Sequence, residues 1–132
     1  MEYSIAKASE KTGLTPHTLR FYDKEGLLPF VARTASGIRI FQDSDIEWLS
    51  LITCLKNTGM SIKDIKVFID WYQEGDATLE KRLMLFRHQK EIIEEQMKAL
   101  NQYMEKINYK IKYYETAVAA GTEAIQEKCC KE

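Results

Sequence analysis

Three cysteines, two histidines and a short run of basic residues are the side chains of this 132-residue sequence best equipped for chemistry. The histidines, His17 and His88, are far apart, and each sits in a helical surface pattern. No Ser/His/Asp set, Gly-rich phosphate loop or metal-ligand spacing accompanies them, so neither an enzyme nor a bound cofactor is expected. The cysteines are Cys54, Cys129 and Cys130. An odd count with two neighbours is a poor disulfide framework, because adjacent cysteines pair only through a strained ring. All three read as thiols of a reducing compartment, the cytoplasm. Between Thr15 and Phe41 the charges are Arg20, Lys24, Arg33 and Arg39 against Asp23 and Glu25. The excess is local only: the net charge is −1, and residues 1–75 carry 9 Lys/Arg against 10 Asp/Glu. A nucleic-acid partner would have to be read from where charges sit, not from their sum.

The rest of the chain must position these groups. At 45% hydrophobic and 30% charged residues the composition is that of an ordinary soluble protein. No apolar run approaches the ~18 residues that span a bilayer, and the N-terminus does not resemble a secretory signal, so no membrane contact is expected. Ser4 is a good N-cap for a short helix, Ile5–Lys11, ended by Gly13. Thr15 caps a second helix, about Pro16–Lys24, with Pro16 at the first helical position. Two short helices joined by a tight turn with one glycine form the helix-turn-helix pattern.

The runs Phe30–Thr34 and Ile38–Phe41 flank Ser36-Gly37 and predict a small hairpin. Asp43-Ser44-Asp45 offers caps for a third helix, about 45–57, ended by Gly59. Ser61 through Asp64 has capping-box spacing and starts a fourth, about 62–73, ended by Gly75. Ile5, Leu14, Leu19, Leu27, Leu28, Ile46, Leu49, Ile52, Leu55, Ile62, Ile65 and Ile69 are the expected core. The fold class is therefore mainly α: four helices with a β-hairpin wing over residues 1–75, then a long helix over 76–120 and a short tail over 121–132.

That long helix is defined by its stripe. Leu79, Leu83, Phe86, Ile93, Met97, Leu100, Met104, Ile107, Ile111, Tyr114 and Val118 recur in steps of three and four, with Lys90 at the one position where an apolar residue is missing. This is a heptad repeat, and no Gly or Pro interrupts Ala77–Ala120. A helix roughly 60 Å long at 1.5 Å per residue cannot bury its own stripe. A second copy of the chain is the expected partner, with Leu83, Phe86, Ile93, Met97, Leu100, Met104, Ile107 and Ile111 at the dimer seam. Strand direction, parallel or antiparallel, stays open.

A further set of residues runs in order through 1–75: Tyr3-Ser4-Ile5-Ala6, Thr12 to Thr15, Thr18-Leu19-Arg20-Phe21-Tyr22 and Lys24 to Pro29. It continues with Arg33, Gly37 to Phe41, Asp45, Leu49, Ile52, Leu55-Lys56, Gly59 to Ile62 and Ile65-Lys66. On these residues the segment resembles the DNA-binding domain of the MerR family of bacterial transcription regulators. The resemblance implies that Thr15–Lys24 is a recognition helix entering the major groove of promoter DNA. It implies DNA contacts from Thr15, His17, Thr18, Arg20, Phe21, Tyr22 and Lys24, and from Arg33, Gly37 and Arg39 of the wing. Arg20 would fork onto guanine or phosphate, Tyr22 would donate its hydroxyl to phosphate, and Arg39 would act at the hairpin tip. The family usually has tyrosines where Phe21, Ile38 and Phe41 stand. Hydroxyl contacts at 21 and 41 are therefore missing, while the two rings keep their packing roles. A homodimer would bind a pseudo-palindrome, bend and untwist it, and so act on RNA polymerase through the promoter.

The resemblance also bears on the signal. About a dozen residues follow the heptads, too few for a drug-binding barrel. Metal-sensing members carry a Cys at the start of the dimer helix, and none stands between Gly75 and Glu80. A metal-responsive regulator using Cys129 and Cys130 is one alternative, and an architectural DNA-binding protein is another. Cys54 lies at the edge of the third helix's apolar stripe, with Lys56 or the partner's helix near enough to favour a thiolate. Its position resembles that of the single cysteine in the branch of the family that answers aldehydes and other electrophiles.

Overall fold

A computed structural model of the protein describes residues 1–124. Cys129, Cys130 and most of the expected tail lie outside the described residues. In order, the elements are β1 (Glu2–Tyr3), α1 (Ile5–Thr12), α2 (Pro16–Lys24), β2 (Ala32–Arg33), β3 (Arg39–Gln42), α3 (Asp43–Asn57), α4 (Ile62–Glu74), a 3-10 turn (Asp76–Thr78) and α5 (Leu79–Ala120). They fall into two compact units, Met1–Arg87 and the residues from His88 onward.

Local capping chemistry starts the helices of the first unit. Ser4 accepts from Lys7 N–H at 3.2 Å, and Ser61 accepts from Asp64 N–H at 3.1 Å. The third helix begins two residues earlier than expected, and Asp43 is inside it rather than capping it. Gln42 is the N-cap. The Asp45 carboxylate, at the third helical position, reaches back to the Gln42 N–H at 2.8 Å. Asp45 is buried, and desolvation holds its carboxyl above the ordinary carboxylate value, against the lowering effect of that bond.

The hairpin is shorter than expected, and it is part of a three-stranded antiparallel sheet ordered β1-β3-β2. Tyr3 pairs with Phe41 on one side of β3, and Arg33 pairs with Arg39 on the other. The Tyr3 hydroxyl donates to Asp43 Oδ1 at 2.6 Å, tying β1 to the first turn of α3.

The core is contributed by every helix of this unit. Ala8, Leu19, Tyr22, Leu27, Leu28, Phe41, Leu49, Ile52, Leu55, Ile65, Phe68 and Ile69 are buried together. Each fully buried Leu, Ile or Phe contributes about 1.5–3 kcal/mol. Ile5, Leu14, Ile46 and Ile62, expected in the core, are only partly buried at its edge. Phe86, expected at the dimer seam, is half-buried and also packs on this core, its ring 5.2 Å from that of Phe68 in an edge-on contact. At the end of α4, Gly75 adopts φ 91°, which favours glycine. The buried Thr78 hydroxyl closes that end against the Trp71 carbonyl at 2.5 Å, and Arg82 donates to the Gly75 carbonyl at 2.9 Å. The carbonyls left unpaired at a helix terminus are thus satisfied by side chains.

The stripe on α5 is open. Leu79, Leu83, Met97, Leu100, Met104, Ile107, Ile111, Tyr114 and Val118 are all exposed, Leu100 at 64%. Ile93 is half-buried.

Candidate nucleic-acid interface

The turn between α1 and α2 is fixed by three side chains and one backbone angle. Gly13 adopts φ 76°, a left-handed conformation that ends α1. The Thr12 hydroxyl donates to the Ala8 carbonyl at 2.8 Å and accepts from the Leu14 N–H at 3.2 Å. The Ser9 hydroxyl donates to the Leu14 carbonyl at 2.5 Å. Thr15 then caps α2, accepting from the Thr18 N–H at 3.1 Å. Its own hydroxyl donates to Thr18 Oγ1 at 3.0 Å, which leaves the Thr18 proton available to an outside acceptor.

With that orientation set, helical periodicity sorts the side chains of α2. Leu19 and Tyr22 point into the core. His17, Arg20, Phe21 and Lys24 are exposed, and their spacing of three, four and seven residues makes one outward face. Arg20 enters no ion pair among the described residues, so its guanidinium keeps its donors for a partner. The two aromatic side chains of this helix part company. Tyr22 packs its ring in the core at 2% exposure, and burial raises its phenol pKa. Phe21 is 42% exposed, so it has no core packing role, whereas Phe41 is fully buried.

The wing differs from expectation in another way. Its tip is the turn Thr34 to Gly37, closed by the Gly37 N–H donating to the Thr34 carbonyl at 2.9 Å. Gly37 has φ 88°, and the turn is exposed. Arg39 is not at this tip. It stands on β3 opposite Arg33, and both reach the same atom of α2. Arg39 Nε donates to Asp23 Oδ2 at 2.6 Å, and Arg33 Nη2 donates to the same oxygen at 2.5 Å. Arg33 Nη1 also donates to the Gly37 carbonyl at 3.1 Å. Asp23 was not among the site residues expected from sequence. Its only signal there was a carboxylate among basic neighbours, which does not reveal a contact across 16 residues of chain.

Cys54 is on the exposed side of α3. Among the described residues, no three of His, Cys, Asp and Glu come together to hold a metal ion. No helix among them is long and apolar enough to cross a membrane.

Comparison with known proteins decides what this arrangement belongs to. The profile of the MerR HTH family regulatory proteins matches residues 3–70, and the profile described as MerR, DNA binding matches residues 46–108. The chain belongs to the MerR family. An HTH-type transcriptional regulator of Haemophilus influenzae is 51% identical over 122 residues, which cover 92% of this chain and 90% of that protein. The regulator AdhR of Bacillus subtilis is 42% identical over 79 residues, 60% of this chain and 56% of its own. Among solved structures, HiNmlR superposes with a TM-score of 0.86 at 50% identity, covering 95% of this chain and 99% of its own. HiNmlR is a MerR family regulator lacking the sensor domain, crystallised on promoter DNA. A MerR family regulator from Bacillus thuringiensis superposes at 0.77 with 41% identity, over 85% of this chain and 98% of its own. The present chain is accordingly a MerR-type DNA-binding transcriptional regulator, and its relatives are regulators rather than enzymes.

Proposed function

We propose that this MerR-type regulator acts as a homodimer on a pseudo-palindromic promoter, distorts it, and so controls RNA polymerase in response to aldehydes or other electrophiles through Cys54. The observation that carries the dimer is the exposed apolar stripe of α5. Nine large apolar side chains at heptad spacing, each 49% exposed or more, are costly to leave in water. Two copies sharing that stripe would hold two recognition helices at a fixed separation and so select the spacing of two half-sites.

Each head would read DNA with the outward face of α2. Arg20 and His17 would meet base edges or phosphate, Thr15 and Thr18 would sit at the helix start, and Lys24 would meet the backbone. Exposed Phe21 would make apolar contact, and Gly37, at the wing tip, would let the backbone approach a phosphate. Arg33 and Arg39 would act from positions held by Asp23. Bending the duplex would supply regulation beyond base contacts, since its cost depends on sequence and its geometry is what polymerase meets.

Cys54 supplies the sensor because its thiol is exposed. Its sulfur would add to an aldehyde's carbonyl carbon while the carbonyl oxygen takes up the thiol proton, giving a hemithioacetal. The test is transcription in vitro from the protein's own promoter, with and without formaldehyde, for wild type and Cys54→Ser. The wild type should respond and the variant should not. An equal response from both removes Cys54 as sensor. Independently, Arg20→Ala should weaken operator binding by about 1–3 kcal/mol with the fold intact. Unfolding of that variant would show that Arg20 is structural.

A further inference from the structure

We propose that Asp23 is a positioning residue for DNA reading: it locks the wing to the recognition helix and withholds charge from the two wing arginines, exchanging non-specific affinity for a fixed geometry. The inference rests on the DNA contacts proposed above and adds a residue that makes none of them.

The geometry is specific. Strand register places Arg33 and Arg39 opposite each other, so both side chains emerge at one point along the hairpin. Asp23 lies one position before the end of α2, and its Oδ2 accepts from both guanidinium groups, at 2.5 and 2.6 Å. Charge-assisted bonds of this length are the strong ones. The cluster is also shielded, with the Asp23 side chain 16% exposed and that of Arg39 22% exposed. Solvent screening weakens such a bridge less than it weakens a surface ion pair. Phe41 of β3 shares the core with Leu19 and Tyr22 of α2, and Asp23 adds the side-chain hydrogen bonds that tie the hairpin to that helix.

The electrostatic consequence has a definite sign. Three groups of formal charge +1, +1 and −1 leave one positive charge where two arginines stand. Arg39 keeps its two terminal NH2 groups while Nε is held, so it is aimed rather than used up. Arg33, 47% exposed, has one terminal nitrogen on Asp23 and the other on the Gly37 carbonyl. A wing held in this way presents one geometry to the duplex. A released wing presents more charge in many geometries, and extra charge strengthens binding to any sequence.

The test is Asp23→Asn in the full chain, which keeps the side chain's shape and removes its charge. Binding is measured by fluorescence anisotropy over 50–300 mM salt. One labelled duplex covers the region upstream of the protein's own gene, and a second has the same length and a scrambled sequence. For the scrambled duplex, the slope of log K against log salt should steepen by about one per head, because each phosphate newly neutralised adds about 0.9. Discrimination between the duplexes should fall roughly tenfold, about the effect of losing one good base contact. Adding Arg33→Ala to Asp23→Asn should return the slope toward wild type, a reversal that a merely misfolded head would not show. If the wild type discriminates between the duplexes and Asp23→Asn leaves slope and discrimination unchanged, the positioning role is wrong and the DNA reading stands. If slope and discrimination change but Arg33→Ala does not reverse the slope, the withheld-charge account is wrong. If the wild type binds neither duplex, the DNA contacts are themselves misassigned and the inference falls with them.

Discussion

Ile52 and Leu100 are aliphatic side chains of similar size on long helices, and their surroundings are opposite. Ile52, on α3, is fully buried among residues of its own unit, while Leu100, on α5, is 64% exposed. Both lie in helical stripes with spacings of three and four. Periodicity therefore says which face of a helix is apolar and leaves open what covers it. In the first unit the covering comes from the same chain, through α1, α2, α4 and the sheet. On α5 the stripe from Met97 to Val118 stays exposed, and the same driving force is left for a second molecule.

Three measurements sharpen or break that contrast. The largest effect is expected for Ile52→Ala, which removes buried methyl groups and leaves a cavity. It should cost about 2–5 kcal/mol in a denaturant melt, independent of protein concentration. Leu100→Ala should cost less, about 1–2 kcal/mol, and its cost should appear as a shift in a concentration-dependent melting temperature. A Leu100→Ala protein that melts like wild type at every concentration would show that the stripe is not an interface. The smallest effect belongs to the exposed Tyr3–Asp43 pair. The Tyr3 hydroxyl holds the Asp43 carboxyl below its ordinary 3.8, so this contribution is present above that value and fades as pH falls through the lowered one. The Tyr3 phenol is raised above 10.0 by the same bond, so its part is present at lower pH and is lost as pH rises through the raised value. Tyr3→Phe should flatten the loss of stability below about pH 3.8, as followed by urea melts between pH 3 and 7. An unchanged acid limb would assign it to other carboxylates.

What was legible in the sequence was whatever neighbouring residues decide. Ser4, Thr15 and Ser61 cap helices because each hydroxyl needs only an N–H three residues away. Gly13 ends α1 for an equally local reason. The family resemblance extended this to the identity of the recognition helix. Features set by distant parts of the chain were not legible. β1 is two residues long and exists because β3 lies beside it, forty positions on, so it has no periodicity of its own. Asp43 looked like a cap, but the Asp45 carboxylate reaches back to Gln42 and moves the helix start. Tyr22 reads in sequence as a phosphate contact, and nothing local there shows that the face it shares with Leu19 buries its ring. The family resemblance implies Arg39 at the hairpin tip, and the register instead puts it on β3 against Asp23. Phe86 fits the heptad, and its additional contact with Phe68 is set by a helix eighteen residues away.

The aromatic packing around α3 has a practical consequence. The Trp48 ring lies 5.4 Å from Phe30, 5.8 Å from Phe68 and 4.7 Å from Tyr72, so its indole touches the segment leading into the wing and two points of α4. Trp71, the other indole of the chain, has the Lys81 ammonium 5.8 Å from its ring. The two indoles have different neighbours, aromatic rings at one and an ammonium at the other, and Trp71→Phe would leave tryptophan emission from Trp48 alone. The wavelength of that emission would then follow, without any attached label, how the packing beside Cys54's helix responds when DNA or an electrophile arrives.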